Sequence, residues 1–173
     1  IAPELVEAPT EPTFRRAVEH EAGPATPLPA HLTLVEPKKI CCRLEGEGIE
    51  QPIADPSEDV IRRELERLRS SGPSLLALIA PNGSYLQVAG NAKRMTIEGH
   101  FVSPQRTIHV VLGRQGSLGP VTTIDSTAGT IELHTSEVWT ASEVGNLLGA
   151  FARTGSVTAD LSRRDIAATI TGQ

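Results

Sequence analysis

The segment spanning residues 75–89 has the pattern of a tight β-hairpin. Asn82-Gly83 stands between an apolar run at 75–80 and a returning run at 84–89, and Asn-Gly is the favoured sequence of two-residue hairpin turns. Pro81 shortens the pairing beside the turn, because proline has no N–H to donate. A chain with this hairpin is predicted to build an antiparallel sheet.

Further strands are predicted on both sides of the hairpin, at 31–35, 39–44, 95–101, 107–112, 121–125 and 130–135. In the segment 95–101, apolar residues alternate with polar ones. Met95, Ile97 and Phe101 point one way, and Thr96, Glu98 and His100 point the other. This alternation is typical of a sheet with one face toward water.

Two helices with capping signals flank the strands. In the first, Asp55 is the expected N-cap, Pro56 takes the first helical position and Glu58 completes a capping box. Gly72 and Pro73 are expected to end this helix. Its apolar stripe consists of Val60, Ile61, Leu65 and Leu68.

The second helix begins with the capping box of Thr140 and Glu143, and Gly155 is expected at its C-terminus. Its apolar stripe contains Val144, Leu147, Leu148 and Phe151. Residues 156–173 are expected to wind down without another element. The predicted fold is therefore α+β, with a mainly antiparallel sheet of five to seven strands and two capped helices packed on one face.

Residues 1–37 differ from the rest of the chain. They hold seven of the 13 prolines and six acidic against two basic residues, and their apolar residues have no sustained period. Such a segment buries too little surface to offset the entropy of ordering it. We predict a Pro-rich, largely irregular tail at 1–37 and a single α+β domain at 38–173.

Composition narrows the classes of function. Sixteen Lys and Arg against 21 Asp and Glu give a net charge of −5, which argues against direct nucleic-acid binding. Cys41 and Cys42 are neighbours and offer no disulfide framework, which fits a reducing compartment. No apolar run is long enough to cross a bilayer. A cytoplasmic protein that does not bind membranes is the resulting expectation.

The usual catalytic motifs are missing. The chain has no P-loop, no nucleophile elbow, no paired Cys-x-x-Cys and no His-Glu-x-x-His. His100, His109 and His134 lie on three predicted strands, and alternation places His100 and His134 on one face with Glu98 and Glu132. They are either a metal site or general base, or ordinary residues on the wet face. We predict no enzymatic activity, no cofactor and no metal.

Two stretches carry a family resemblance. The first is SLLALIAPNGSYLQVAG at 74–90, followed by a strand with Thr96-Ile97-Glu98. The second is SEVWTASEVGNLLGAFARTGSVTADLSRRD at 136–165. Across about residues 50–166 the chain resembles the Imm-type immunity proteins of bacterial polymorphic-toxin systems, whose best-known members neutralise deaminase toxins. The resemblance implies an α+β antitoxin that binds a cognate toxin domain, a deaminase or nuclease directed at nucleic acid, and covers its active site.

The expected partner-binding residues combine an acidic surface with aromatic anchors, because an acidic inhibitor is steered toward a basic toxin. For Tyr85 core packing is the alternative, and for Trp139 a hydrophobic staple on the second helix. Glu143 is a further acidic candidate, for which capping the second helix is the alternative. The predicted set is Tyr85, Gln87, Glu98, His100, Asp125, Glu132, Glu137 and Trp139.

A second function remains open. The chain starts at Ile1 rather than Met and opens with a Pro-rich stretch, as expected of an accessory or interaction domain in a larger secreted or phage-like assembly. A small enzyme or metal protein that uses the histidines is the third alternative.

Overall fold

A computed structural model describes residues 40–166. The tail predicted for 1–37, the strand predicted for 31–35 and the last seven residues lie outside the described residues. The boundary predicted between tail and domain therefore stays a prediction.

The described residues form an α+β fold, as predicted, in which strands dominate. A seven-stranded antiparallel sheet has the order β2-β1-β3-β4-β5-β6-β9, and β7 and β8 form a separate two-stranded sheet. The strands are β1 (Arg43–Gly46), β2 (Ile53–Ala54), β3 (Leu75–Ile79), β4 (Tyr85–Asn91), β5 (Arg94–Val102), β6 (Thr107–Arg114), β7 (Val121–Ser126), β8 (Gly129–His134) and β9 (Leu161–Asp165).

The predicted hairpin joins β3 to β4, but its loop has three residues rather than two. The Gly83 N–H donates to Ala80 O at 3.0 Å, and the Ala80 N–H donates to Ser84 O at 2.8 Å. Gly83 has a φ of +86°, whereas Asn82 is not among the residues with positive φ. Pro81 explains the difference, since its fixed φ suits the second position of a type I turn, which a left-handed glycine then completes.

Helix α1 (Glu58–Glu66) begins later than predicted. Its N-cap is Ser57, whose Oγ accepts a hydrogen bond from the Val60 N–H at 3.3 Å. The prediction of Asp55 as the cap is wrong, because the Asp55 N–H donates to Cys42 O at 2.7 Å and its φ is +50°. The helix also ends at Glu66 with Arg67 as its C-cap, well before Gly72.

The prediction of the second helix is confirmed: helix α2 spans Ala141–Thr154. Thr140 and Glu143 form the capping box, and Gly155 ends the helix with a φ of +66°. The two helices approach closely where Gly145 faces the Arg62 side chain and Gly149 faces Glu58. A methyl group at either glycine would lie 3.1–3.2 Å from those side chains, so the small residues set the spacing.

Both helices cover one face of the large sheet. Buried side chains of α1 and α2 join those of the strands in a single apolar core. Of the two predicted stripes, Val60 and Leu147 pack only partly buried at its edge, and the fully buried members are Ile61, Leu65, Leu68, Val144, Leu148 and Phe151.

Strand β9 was not predicted. It returns after α2 and pairs with β6, so that Val111 lies opposite Arg164 and Gly113 opposite Ser162. Leu161 is its only apolar residue, which left no alternation to read. The expectation that residues 156–173 wind down without another element is wrong for this strand.

Candidate functional site

The face of the large sheet opposite the helices is partly covered by the β7–β8 hairpin. Ile124 and Leu133 of the hairpin pack on Val111 of β6 in a second, smaller apolar cluster. At the tip of the hairpin, the Thr127 N–H donates to Ser74 Oγ at 2.7 Å. The Thr127 hydroxyl donates to Glu47, which holds the hairpin to the sheet.

Four side chains meet on this face of the large sheet, next to the part that the β7–β8 hairpin covers. The register places Tyr85 opposite His100 and His100 opposite His109, on the central strands β4, β5 and β6. Glu98 precedes His100 by two residues and therefore points to the same face. We call Tyr85, Glu98, His100 and His109 the ring patch.

The three rings of the ring patch form a compact cluster. Tyr85 and His100 stack with centroids 4.8 Å apart and planes within 8°. His109 meets both rings edge-on, with centroids 5.6 Å from His100 and 6.3 Å from Tyr85. Such offset and T-shaped contacts hold the rings in place on rigid strands, and all three stay only partly buried.

Glu98 supplies the charge of the ring patch. Its Oε2 lies 3.3 Å from Nε2 of His109, although that buried nitrogen makes no hydrogen bond to the described residues. Partial burial and, to a smaller extent, the negative charge of Glu98 raise the pKa of Tyr85. The phenol therefore stays protonated at neutral pH. The ring patch therefore offers ring faces, a phenol O–H, imidazole nitrogens and one carboxylate.

His134 does not join the other two histidines. It ends β8 in the second sheet, and its Nδ1 lies 3.1 Å from the Gly119 carbonyl oxygen. Alternation placed His100 with His134, and the register instead brings His100 to His109. Among residues 40–166, no group of three or more His, Cys, Asp or Glu side chains is arranged to hold a metal ion.

Glu137 and Trp139 are buried, which corrects their expected role as surface contacts. The Trp139 side chain packs in the core, and its Nε1–H donates to Leu112 O at 3.0 Å. Arg114 lies over the indole, 4.3 Å from the ring centroid. Arg114 also pairs with Glu143 at 2.6 Å, and Glu143 closes the capping box of α2.

Arg164 of β9 binds the buried Glu137 carboxylate with two hydrogen bonds, of 2.6 and 2.8 Å. The backbone N–H of His134 donates a third at 2.9 Å. Burial alone would raise the pKa of Glu137, but these hydrogen bonds outweigh it and lower the pKa below the usual value. The sequence does not predict this pair, because Arg164 reaches Glu137 only through the pairing of β9 with β6.

The remaining predicted residues lie at the surface. Gln87 stands opposite Glu98 in the register and is half-buried beside the ring patch. Asp125 and Glu132 are exposed on the hairpin, and the Thr130 hydroxyl donates to Asp125 at 2.9 Å. The structure thus brings together Tyr85, Gln87, Glu98 and His100 from the predicted set and adds His109 to them.

No protein-family model, curated protein sequence or solved structure matches this chain. In the described part of the chain, no helix has the length and apolar character needed to span a membrane. The geometry of the ring patch is consequently the main guide to function.

Proposed function

We propose that this chain is an immunity protein that binds a cognate bacterial toxin domain through the ring patch and covers the toxin's active site. The observation that carries the proposal is the stacked cluster of Tyr85, His100 and His109 on neighbouring strands. The resemblance across about residues 50–166 supports the same function. The toxin in this proposal is a deaminase or nuclease acting on nucleic acid in the cytoplasm.

The ring patch has the physical character of a binding hot spot. Tyrosine is enriched among residues that dominate binding energy, because it buries a large area with few rotatable bonds. The stack on His100 already restricts the Tyr85 ring. Less conformational entropy is then lost when a partner binds, which leaves more of the contact energy as affinity.

Charge supports a basic partner. The chain carries a net charge of −5, and Glu98 places a carboxylate within the ring patch. Toxins that act on nucleic acid need positive surfaces to approach phosphates. An acidic inhibitor is steered toward such a surface and associates faster at low salt.

Rescue of bacterial growth tests the proposal. The toxin domain encoded by the neighbouring gene is co-expressed with the wild-type chain, with Tyr85→Ala and with His100→Ala. Wild type restores growth and both variants lose most of the rescue, because each removes one ring of the stack. Arg106→Ala, in the exposed β5–β6 turn, is the control that keeps full rescue.

The opposite result would reject the proposal. A well-folded wild-type chain that neither restores growth nor forms a complex with the toxin domain is not its immunity protein. That outcome, together with a long upstream domain in the full gene, would favour the accessory-domain function. The proposal itself requires no cofactor and no catalytic step by this chain.

A further inference from the structure

A cleft of about 280 Å³ lies between the β7–β8 hairpin and the β6–β9 edge of the large sheet. Its apolar lining comes from both sheets, with Val111 and Leu133 almost fully buried and Ile131 partly buried. Glu98 lines it as well, so the cleft adjoins the ring patch. A partner that covers the ring patch therefore also reaches this cleft.

Three carboxylates and one guanidinium set the charge around the cleft. Glu98, Glu132 and Arg164 line it, and Glu137 lies behind Arg164. The bidentate pair with Glu137 occupies Arg164, so these two charges largely cancel. Glu98 and Glu132 remain. Glu98 Oε2 lies 3.3 Å from Nε2 of His109, whereas Glu132 has no ion pair with another described residue.

An apolar lining beneath two carboxylates matches a long side chain with a cationic end. The methylene groups of lysine or arginine pack on apolar surface while the charged head stays near polar groups. Arginine also offers a planar fork of N–H donors that binds carboxylates at defined angles. An acidic or purely apolar side chain would satisfy only part of this lining.

We infer that the cleft receives a basic side chain, arginine or lysine, from the protein partner. Its stem packs against the partly buried Ile131 and Ile166, above Val111 and Leu133, and its charged head lies between Glu98 and Glu132. The inference rests on the proposed function, since the partner that inserts the side chain is the one that covers the ring patch.

The test uses the full chain alone and small probes in place of the partner. ¹⁵N-labelled protein is titrated by NMR with N-acetyl-arginine methylamide and N-acetyl-lysine methylamide. The matched controls are the norleucine and glutamate derivatives, which keep the apolar stem or reverse the charge. We expect saturable shifts at Val111, residues 131–133 and Arg164 with the basic probes, at least several times larger than with either control.

Charge variants then locate the contact. Glu132→Gln is expected to weaken binding of the basic probes about two- to fivefold, the size of one partly exposed ion pair. Glu50→Gln, an exposed carboxylate outside the cleft, is the matched control and leaves binding unchanged. The amide spectrum of each variant shows that it is folded.

Equal shifts with all four probes, shifts spread over the carboxylates of the whole surface, or no shifts at all would overturn the inference. Because no toxin is present, this failure is separate from that of the proposed function. Growth rescue without binding of the basic probes would support the immunity function and reject the inference about the cleft. Binding of the basic probes without growth rescue would support the cleft as a site for a basic side chain and reject the immunity function.

Discussion

Removing the guanidinium of Arg164 should destabilise the fold by about 3 kcal/mol at pH 7. The Glu137 side chain is 1% exposed and takes two hydrogen bonds from Arg164. Deleting one partner of a buried ion pair costs about 3–5 kcal/mol, because the other charge is left uncompensated. The low end applies here, since Arg164 is 36% exposed and the His134 N–H still donates to Glu137.

Denaturation of Arg164→Ala in urea at pH 7 measures this loss. The corresponding fall in melting temperature is about 6–12 °C, since 1 kcal/mol shifts a protein of this size by about 2–4 °C. Arg164→Lys keeps the charge without the two-pronged contact and should recover only part of the stability. Arg106→Ala is the matched control and should stay within about 0.5 kcal/mol of wild type.

The effect depends on pH with a defined sign. The folded pKa of Glu137 lies below its usual value, so its stabilisation is present above the unfolded pKa of about 4.3. It is lost as the pH falls through the folded value. The difference between wild type and Arg164→Ala therefore shrinks near pH 3. A difference below about 1 kcal/mol at pH 7, or one that is equal at both pH values, would refute this reasoning.

Three further changes test the fold. Leu65→Ala, at a fully buried site in α1, should cost about 2–5 kcal/mol in urea denaturation, and unchanged stability would show that the core assignment is wrong. Ser57→Ala should cost about 1 kcal/mol through loss of the N-cap, and a neutral result would exclude Ser57 as the cap. Ser74→Ala should speed hydrogen exchange in the β7–β8 hairpin by removing its contact with Thr127, whereas unchanged exchange would show that the hairpin is held elsewhere.

Features encoded by neighbouring residues could be predicted from the sequence. Helix α2 has its capping box, apolar stripe and terminal glycine within 16 residues, and each signal is local. The β3–β4 strands were equally clear, and only the turn type was missed. The cap of α1 could not be decided locally, because the Asp55 N–H donates to Cys42 O, one residue past the β1–β2 pairing.

The site depended on contacts between distant segments. Alternation placed Glu98 and His100 on one face, but Tyr85 and His109 join them only through the β4–β5 and β5–β6 registers. Glu137 looked like a surface carboxylate because the strand that carries Arg164 had no apolar pattern. Trp139 packs in the core, where the Leu112 carbonyl oxygen, 27 residues earlier, accepts a hydrogen bond from its indole N–H.

Calorimetric titration of the toxin domain with ring-patch variants tests the central claim most directly. We predict that Tyr85→Ala, shown by circular dichroism to be folded, weakens binding at least about thirtyfold, which corresponds to a hot spot of about 2 kcal/mol. Asn146→Ala, exposed on the helix side of the sheet, should bind like wild type. If Tyr85→Ala bound as tightly as wild type, or if Asn146→Ala alone lost binding, the ring patch would not be the binding surface.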